Sequence, residues 1–499
     1  MHQRPVPGSR PRYRGAFVLW LTLAALPVAG QMMGPLTGQS LFFNQASNPH
    51  GNSLAANAGL LYNSNVSYTA NGTSATLALV GLSGNITHQG PRLDYHLTSD
   101  IAVVKYLNGA FPTEPSGYLD AGAELQIVPG FFSWIVQNTY SEVQINPYVP
   151  VTTNNIEHIN NFSTGPRFTL RPTLRTSVTL EGTYSYVSGS APAEFVNFDS
   201  QRYRGSLEAE RAFSSTSSLY VLGSYEKVDF KDQVDNNNFS LGEAAAGYRL
   251  SDSRTALDIS GGYSKIRVED VLVPVHSIIG VVEERETQTF GGATWNFNLS
   301  RLITPSQRVA LFGGQQYTDA ATALRASFNQ PGSGIAPTQL AAGGPFQYRT
   351  FGASWRFEAL RTTLDVSVLA SRSRFLVISP LTPDSNSKLA NVALARQLGP
   401  VLTWDIGASY QRWNSIGAQV PINGQASWNM FTAFTNLQWR VGERLGLRFL
   451  YARTSQLGVG SNQVGIIASY DLISVARQAS AELPQLLPTS PASLQSPQP

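Results

Sequence analysis

Few side chains in this sequence have the types and spacing that chemistry requires. No pair of histidines stands at the i, i+4 spacing of a helical metal site, and none belongs to an H-E-x-x-H metalloprotease pattern. The sequence also holds no G-x-S-x-G nucleophile elbow and no phosphate-binding G-x-x-x-x-G-K-[ST] loop. The histidines are His2, His50, His88, His96, His158 and His276.

His96 has the most suggestive neighbours of the six. It shares a predicted strand face with Asp94 and Thr98, because side chains two residues apart point to the same side of a strand. A His–carboxylate dyad for acid–base catalysis is one interpretation. A polar stripe that faces a water-filled lumen is the alternative, which we favour, so no catalytic residue is predicted.

The sequence gives little reason to expect a metal or a cofactor. Without cysteine there is no disulfide, zinc–thiolate site or iron–sulfur cluster. The acidic segment around Asp229, Asp232 and Asp235 offers oxygen ligands of the kind that calcium prefers, but it lacks a full ligand set. A solvated loop is the favoured interpretation, and we predict no metal and no cofactor.

The remaining charged residues follow a pattern with a period of two. In one segment Leu257, Ile259 and Tyr263 alternate with Asp258, which is typical of a strand with one apolar and one polar face. An apolar face turned to lipid and a polar face turned to a hydrated lumen would explain the pattern, because charges are costly against lipid. The candidate lumen-facing residues are Glu181, Arg202, Arg204, Glu208, Glu210, Asp258, Arg356, Glu358, Asp365, Asp405 and Arg448.

The connections between these segments alternate between short and long. Short connections such as Ser214–Ser217 separate longer ones such as Val268–Glu283, Ala320–Pro345 and Thr454–Ser461. An outer-membrane barrel with short periplasmic turns and long extracellular loops predicts this asymmetry. Near Gly242–Glu243 the apolar set changes phase, which suggests a β-bulge.

We therefore predict an all-β fold, an antiparallel transmembrane β-barrel of about 16–20 strands. Residues 58–472 form the barrel in this prediction, and 58–130 alternate less cleanly, so a plug or periplasmic part is an alternative for them. Tyr186, Tyr225, Tyr263, Trp413 and Trp439 fit aromatic girdles at the membrane interfaces. The competing explanation is that such aromatic residues fill the core of a soluble β-protein.

The N-terminus reads as an export signal. Four arginines precede an uncharged apolar run from Ala16 to Ala29, so residues 1–30 are predicted to be a cleavable signal peptide. Its removal changes the net charge from +3 to −1, which gives no electrostatic case for nucleic-acid binding. Residues 31–57 are predicted to be a flexible linker, and 473–499 a Pro-rich disordered tail. No later stretch is long and apolar enough for a transmembrane helix, so the bacterial outer membrane is the expected location.

The serial hairpins carry a family resemblance. Phe162–Pro166 begins it, and Arg211–Leu219 followed by Gly223–Phe230, Tyr248–Arg254 and Leu302–Ser306 repeat its Ser/Arg-rich turns. From about residue 130 to 472 the chain resembles the outer-membrane β-barrel proteins associated with exopolysaccharide and PEP-CTERM sorting loci. The resemblance implies a role beside polysaccharide production or export and supplies no catalytic residues.

Three functions follow as hypotheses. The first is a non-enzymatic barrel that serves exopolysaccharide export or surface retention. The second is a general diffusion porin, in which Ala320–Pro345 folds inward as the constriction. Separately, Arg202 and Arg204 with Glu208 and Glu210 place opposite charges on one lumen strand, which would create a transverse field at a constriction. The alternative is that these four are ordinary solvated residues of a wide pore. The third, which we favour least, is a hydrolase barrel. Expected partners are outer-membrane lipid and lipopolysaccharide, the barrel assembly machinery and, as a further candidate, exopolysaccharide.

Overall fold

Twenty β-strands make up nearly all of the structure. The computed structural model describes residues 52–144, 152–190, 199–231, 237–277, 280–323, 344–377, 384–416 and 427–473. The strands are β1 (Ser53–Asn63), β2 (Ala75–Gln89), β3 (Leu93–Tyr106), β4 (Glu114–Val128), β5 (Phe132–Gln144), β6 (Ile156–Thr173), β7 (Thr176–Gly189), β8 (Ser200–Ala212), β9 (Ser217–Phe230), β10 (Phe239–Ser251), β11 (Thr255–Ser277), β12 (Gly280–Thr304), β13 (Gln307–Thr318), β14 (Phe346–Ala359), β15 (Thr362–Phe375), β16 (Ser385–Gln397), β17 (Leu402–Ser415), β18 (Ser427–Arg440), β19 (Leu445–Gln456) and β20 (Val459–Ile473).

The strands form one closed antiparallel barrel. Each strand pairs with the next in the chain, and β20 pairs with β1 from Leu54↔Ile473 to Asn63↔Gln463. Closure leaves no strand with an unpaired edge, which is the condition for a sheet to lie in hydrocarbon. The predicted fold class is confirmed, with 20 strands at the upper end of the expected range.

The two faces of the wall differ as a membrane barrel requires. On β8 the side chains of Tyr203 and Leu207 are about half exposed on the outside, whereas Arg202, the residue before Tyr203, is 1% exposed and faces the interior. The same outward set of Leu, Val, Ile and aromatic residues recurs around the barrel. An apolar outer band on a closed barrel is matched to lipid, so the protein resides in the bacterial outer membrane.

Within the described residues, no helix is long and apolar enough to cross a membrane.

The connections at the two ends of the barrel differ in length. At one end they are all short, and we assign this end to the periplasm, with Ser53 and Ile473 beside it. At the other end most are longer, including the connection from β13 to β14. The short ones span 90–92, 129–131, 174–175, 213–216, 252–254, 305–306, 360–361, 398–401 and 441–444.

Two predicted long loops are regular structure instead. Most of Val268–Glu283 belongs to an extension of the β11–β12 hairpin, which pairs from Val271↔Glu286 to Ser277↔Gly280 beyond an irregularity at Asp270. The predicted loop Thr454–Ser461 is a tight turn, because Leu457 and Gly458 both have positive φ, as a two-residue hairpin turn needs.

The predicted β-bulge near Gly242–Glu243 is wrong. β10 pairs with β9 and β11 in unbroken register. The apolar residues change phase because Phe239 and Leu241 face the interior and pack in an apolar cluster there, while Ala244 faces outward. An apolar cluster on the interior face therefore produces the same change of phase in the sequence as a β-bulge would.

The first strands lie in the barrel wall. β1 begins at Ser53, inside the segment predicted to be a linker, and β1–β4 occupy the region for which a plug was the alternative. The predicted signal peptide and all of the Pro-rich tail beyond Ile473 lie outside the described residues.

The outward apolar band makes a prediction that distinguishes a lipid-facing wall from a solvent-facing one. Val221 on β9 is 56% exposed, so an arginine there would cost little in water. In a bilayer we expect Val221→Arg to lower the free energy of unfolding by about 2–4 kcal/mol, because the charge would lie in hydrocarbon. Urea titration in lipid vesicles, followed by heat-dependent gel mobility, measures this change.

Leu360→Arg is the matched control, since Leu360 is 96% exposed in the turn between β14 and β15. It should leave the unfolding midpoint unchanged. Equal effects of the two substitutions would mean that Val221 does not face lipid.

Candidate functional site

The interior face of the wall collects the charged residues that the sequence pattern singled out. Cross-strand pairing places these residues on the interior face, as in the pair of Arg202 with Ser185, both of which are buried. The residues on this face are Glu181, Arg202, Arg204, Glu208, Glu210, Asp258, Arg356, Glu358, Asp365, Asp405 and Arg448.

Arg249 is the centre of the largest charged group. Its Nη1 lies 2.8 Å from Glu208 Oε1 and 3.2 Å from Glu210 Oε2, and its Nε lies 3.4 Å from Asp258 Oδ2. The guanidinium carbon also lies 3.9 Å from the ring centroid of Tyr220, whose hydroxyl donates to Asp258. One arginine thus holds three carboxylates on β8 and β11, and a cation–π contact fixes its plane.

A second group is built around Arg167 on β6. Its Nη1 lies 2.7 Å from Glu124 Oε2 on β4, and its Nη2 lies 2.9 Å from Glu181 Oε2 on β7. Thr183 donates to the other oxygen of Glu181 at 3.3 Å. These partly buried charges therefore interact mainly with each other, and the electric field that they create in the lumen is small.

The deepest ion pair joins the wall to the segment after β13. Arg202 Nη2 lies 2.6 Å from Asp319 Oδ2, and both side chains are 1% exposed. Arg202 also donates to Asp319 Oδ1, to Thr322 Oγ1 and to Ser200 Oγ. The pairing is bidentate, the geometry that gives an arginine–carboxylate pair its directionality.

Asp319 begins a helical turn, residues 319–323, which we call the inner turn. Its carbonyl accepts from the amide of Ala323, and its carboxylate accepts from the amide of Thr322. Burial alone would raise the pKa of Asp319, but the charge and hydrogen bonds of Arg202, with those of Thr322, hold that pKa below its ordinary value. Asp319 is therefore a carboxylate at neutral pH.

The inner turn packs against two distant parts of the wall. Ala320, Ala321 and Ala323 are buried in one apolar cluster with Ile159 and Val187 on β6 and β7. The same cluster contains Phe346 and Tyr348 on β14, and Phe375 on β15 lies against it. Six strands separate β7 from β14 along the wall, so the inner turn bridges the lumen near its extracellular end.

The residues of the predicted charged constriction all have nearby partners. Arg202 is paired with Asp319, Arg204 lies 3.7 Å from Glu226, and Glu208 and Glu210 contact Arg249. The opposed arginines and glutamates therefore do not stand free across the lumen. What narrows the lumen here is the inner turn.

The other predicted charges lie nearer the periplasmic end. Arg356 Nε is 3.4 Å from Glu358 and 3.9 Å from Asp365. Arg448 is within electrostatic reach of Asp100 and Asp405. These residues form local groups of mixed sign on the interior wall.

The wall from β15 to β20 is different, since uncharged polar groups dominate its extracellular half. Thr432 and Thr454 share a hydrogen bond of 3.2 Å, and Ser371 and Ser387 share one of 2.6 Å. Ser461 donates to Asn63 across the closing seam at 2.6 Å. Hydroxyls and amides can both donate and accept, so this surface suits uncharged, hydrogen-bonding ligands.

Two tryptophans stand on the same surface. Trp413 and Trp428 are directly paired across β17 and β18, with parallel rings whose centroids are 6.3 Å apart. Gln411 and Gln456 lie beside them on either side of Met430. Among the described residues, neither indole nitrogen and none of the side-chain amide atoms of Gln411 and Gln456 has a hydrogen-bond partner, although all four residues are at least 97% buried. We call these four residues the Trp–Gln wall.

Trp413 corrects a prediction. The sequence suggested that it belongs to an interface girdle, but its side chain faces the interior and is 3% exposed. Its strand phase is opposite to that of Tyr410, which faces outward.

The structure gives His96 and Asp229 partners other than those that the sequence suggested. His96 Nε2 lies 3.4 Å from Asp120 Oδ2 on β4, so its carboxylate neighbour is Asp120 and not Asp94. In the acidic segment for which a solvated loop was favoured over a calcium site, Asp229 is paired with Lys227 at 2.9 Å, and Asp232 and Asp235 lie outside the described residues. Within the described part of the chain, no three His, Asp or Glu side chains are grouped as metal ligands.

Comparison with known proteins finds similarity in architecture alone. No family model matches the chain, and no curated protein matches it. Among solved structures, the siderophore receptor PirA from Pseudomonas aeruginosa is similar at 10% identity and a TM-score of 0.42, over 84% of this chain and 81% of that one. The FrpB iron transporter from Neisseria meningitidis is similar at 6% identity and a TM-score of 0.44, over 84% and 83%. Similarity this low conveys nothing about what the present chain binds.

Three participants in these ion pairs were not predicted from the sequence: Arg249, Arg167 and Asp319. Arg249 and Arg167 obey the alternation and were available from it, since Tyr248 and Phe168 flank them on the apolar face. Asp319 had no such signal, because it follows the last residue of β13 and its partner Arg202 is 117 positions away. Only the closed barrel brings that pair together.

The Arg202–Asp319 pair should control the position of the inner turn. Asp319→Asn keeps a side chain that can cap the turn but leaves Arg202 buried without its counter-charge. Breaking one side of a buried ion pair costs about 3 kcal/mol, which corresponds to a roughly hundredfold larger ratio of displaced to docked turn. We expect longer and larger conducting states of the purified protein in planar bilayers.

Two further variants isolate the cause. Arg202→Leu in the Asp319→Asn background removes the stranded charge and should bring the conductance back towards that of the native chain. Arg440→Gln breaks an exposed pair with Asp471 and should change nothing. Conductance of Asp319→Asn equal to that of the native protein would show that the inner turn does not close the lumen.

Proposed function

We propose that this outer-membrane barrel is a gated, non-enzymatic conduit that handles exopolysaccharide during its export or retention at the surface. The observation that carries the proposal is the Trp–Gln wall on the uncharged side of the lumen. The family resemblance of the hairpins to barrels of exopolysaccharide loci supports the same substrate class.

The chemistry of the Trp–Gln wall suits a sugar chain. Aromatic faces pack against the apolar C–H faces of a pyranose, while amides and indole N–H groups bond to its hydroxyls. Buried donors and acceptors without partners cost about 1–3 kcal/mol each, so a protein that retains several of them has a reason for doing so. A polyhydroxylated chain passing Trp413 and Trp428 would supply those partners.

The inner turn gives such a conduit a closed state. A lumen wide enough for a polymer must be shut when no polymer is present, or it would leak small solutes across the membrane. The Arg202–Asp319 pair and the alanine cluster dock the inner turn between two distant parts of the wall. We infer that displacement of the inner turn opens the lumen, so that a chain in transit can reach the Trp–Gln wall.

Binding of polymer is the direct test of the proposal. The purified protein carrying Asp319→Asn is placed in a planar bilayer, and exopolysaccharide isolated from the producing bacterium is added. We expect the polymer to block the current, and dextran of equal length to block it more weakly. An open current that is indifferent to exopolysaccharide would overturn the proposal in favour of a diffusion porin.

Variants of the two tryptophans locate the contact. Each Trp→Ala change in the Trp–Gln wall should weaken block by about twofold to twelvefold, because an aromatic packing contact is worth about 0.5–1.5 kcal/mol. Trp439→Ala is the matched control, since Trp439 faces outward and is half exposed. Deleting the gene should also reduce surface polysaccharide without changing uptake of small solutes.

A further inference from the structure

A furrow crosses the outer, lipid-facing surface of β5 to β9. Its volume is about 590 Å³, and it is open to the outside. Gly182 and Gly205, which pair directly with each other across β7 and β8, form its floor. The rings of Trp134, Tyr184, Tyr203 and Tyr225 bound it.

The chain itself does not need glycine at these two floor positions. A Cβ at Gly205 would meet nothing within 4 Å, and one at Gly182 would meet only Cγ of Pro166, at 3.9 Å. Neither residue has a positive φ. Glycine weakens a strand, and in a strand it often marks a place where a ligand approaches the backbone closely.

Several other glycines of the wall have a visible use that these two lack, whereas Gly223 and Gly261 are equally open but do not line the furrow. A side chain at Gly247 would collide with the ring of Tyr220, and side chains at Gly352 and Gly407 would collide with the rings of Phe312 and Phe434. In those places an aromatic ring of the same chain lies over the glycine. At Gly182 and Gly205 the surrounding aromatic rings lie to the sides, so no ring covers the backbone of these two glycines.

The aromatic walls are held in position. Trp134 Nε1 donates to Thr164 Oγ1 at 2.8 Å, and the ring centroids of Tyr184 and Tyr203 are 5.4 Å apart. Because the rings are already fixed around an open floor, the groove is preformed. A ligand could therefore bind without first ordering these side chains.

The position of the furrow identifies the kind of occupant. It opens on the face that contacts lipid, and β7 and β9 run past it towards the extracellular end. Lys227, paired with Tyr203 across the strands, lies on its extracellular side, half exposed and held by Asp229 at 2.9 Å. Apolar sides with a cation at the outer end match a hydrocarbon chain beneath an anionic headgroup.

We propose that this furrow is a specific site for lipopolysaccharide, in which one acyl chain lies over Gly182 and Gly205 and a headgroup phosphate approaches Lys227. The acyl chain fills space that would otherwise leave the aromatic rings without packing partners. The phosphate shares the ammonium of Lys227 with Asp229. This site is on the outside of the barrel and is independent of the proposed passage of polysaccharide through the lumen.

Filling the floor is the test. In detergent, the full-length protein is titrated with purified lipopolysaccharide or with phosphatidylglycerol, and the bound lipid is counted by native mass spectrometry. We expect one lipopolysaccharide per native barrel, preferred over phosphatidylglycerol. Gly182→Leu combined with Gly205→Leu should weaken this binding at least tenfold, because both side chains project into the furrow without meeting the backbone. Lys227→Gln should weaken it about threefold.

Gly261→Leu is the matched control. Gly261 also faces outward on β11 with nothing within 4 Å, but it does not line the furrow. Its substitution should leave lipid binding at the native level, and heat-dependent gel mobility should show that all variants fold. A second readout is quenching of Trp134 fluorescence by lipid with brominated acyl chains, measured against Trp134→Phe.

Three results would overturn the proposal. Equal loss of lipid from the Gly261→Leu control would mean that retention is unspecific. Preference for phosphatidylglycerol would assign the furrow to a phospholipid. A native dimer that becomes a monomer on Gly205→Leu, with no bound lipid in either, would assign the furrow to a second copy of the chain.

Discussion

Closure of the sheet by β1 and β20 is the constraint on which the rest of the structure depends. In hydrocarbon every backbone N–H and C=O must find a partner within the protein, so a wall of 19 strands with open edges could not remain in the membrane. The seam joins residues from opposite ends of the chain, such as Asn57 and Ser469, which are 412 positions apart and share a hydrogen bond of 2.7 Å. The free edges of β1 and β20 are thereby paired with each other, and the sheet has no open edge.

Once the wall is closed, the fate of each side chain is decided by the face on which it falls. Outward residues meet lipid, so leucine, valine and tyrosine are stable there while half exposed. Inward charges are shielded from lipid but crowded, and arginines such as Arg249 and Arg167 gather carboxylates from neighbouring strands around them. The charges therefore stabilise the wall locally.

The sequence predicted those properties that repeat along a strand and missed those that depend on closure. Alternation gave the fold class and the charged interior face, because the period of two holds at every strand. It misread Phe239 and Leu241 as a bulge, since an apolar cluster inside the lumen has the same pattern as a change of register. It had no means of joining Asp319 to Arg202, because that contact exists only when distant strands face each other across the lumen. Trp413 differs from the prediction for a simpler reason: tryptophan is typical of interface girdles, but its position on β17, out of phase with Tyr410, puts it on the interior face.

The inner turn and the outer furrow illustrate the same rule from opposite sides of the wall. A regular barrel satisfies its backbone and its side chains with repeated contacts, so departures from regularity need a separate cause. Arg202 and Asp319 are buried as charges, at a desolvation cost, in a place where apolar residues would pack as well. Gly182 and Gly205 forgo side chains where larger ones would fit. In each case the local fold is less stable than it could be, and we propose that this leaves the inner turn able to move and the furrow able to hold a lipid chain.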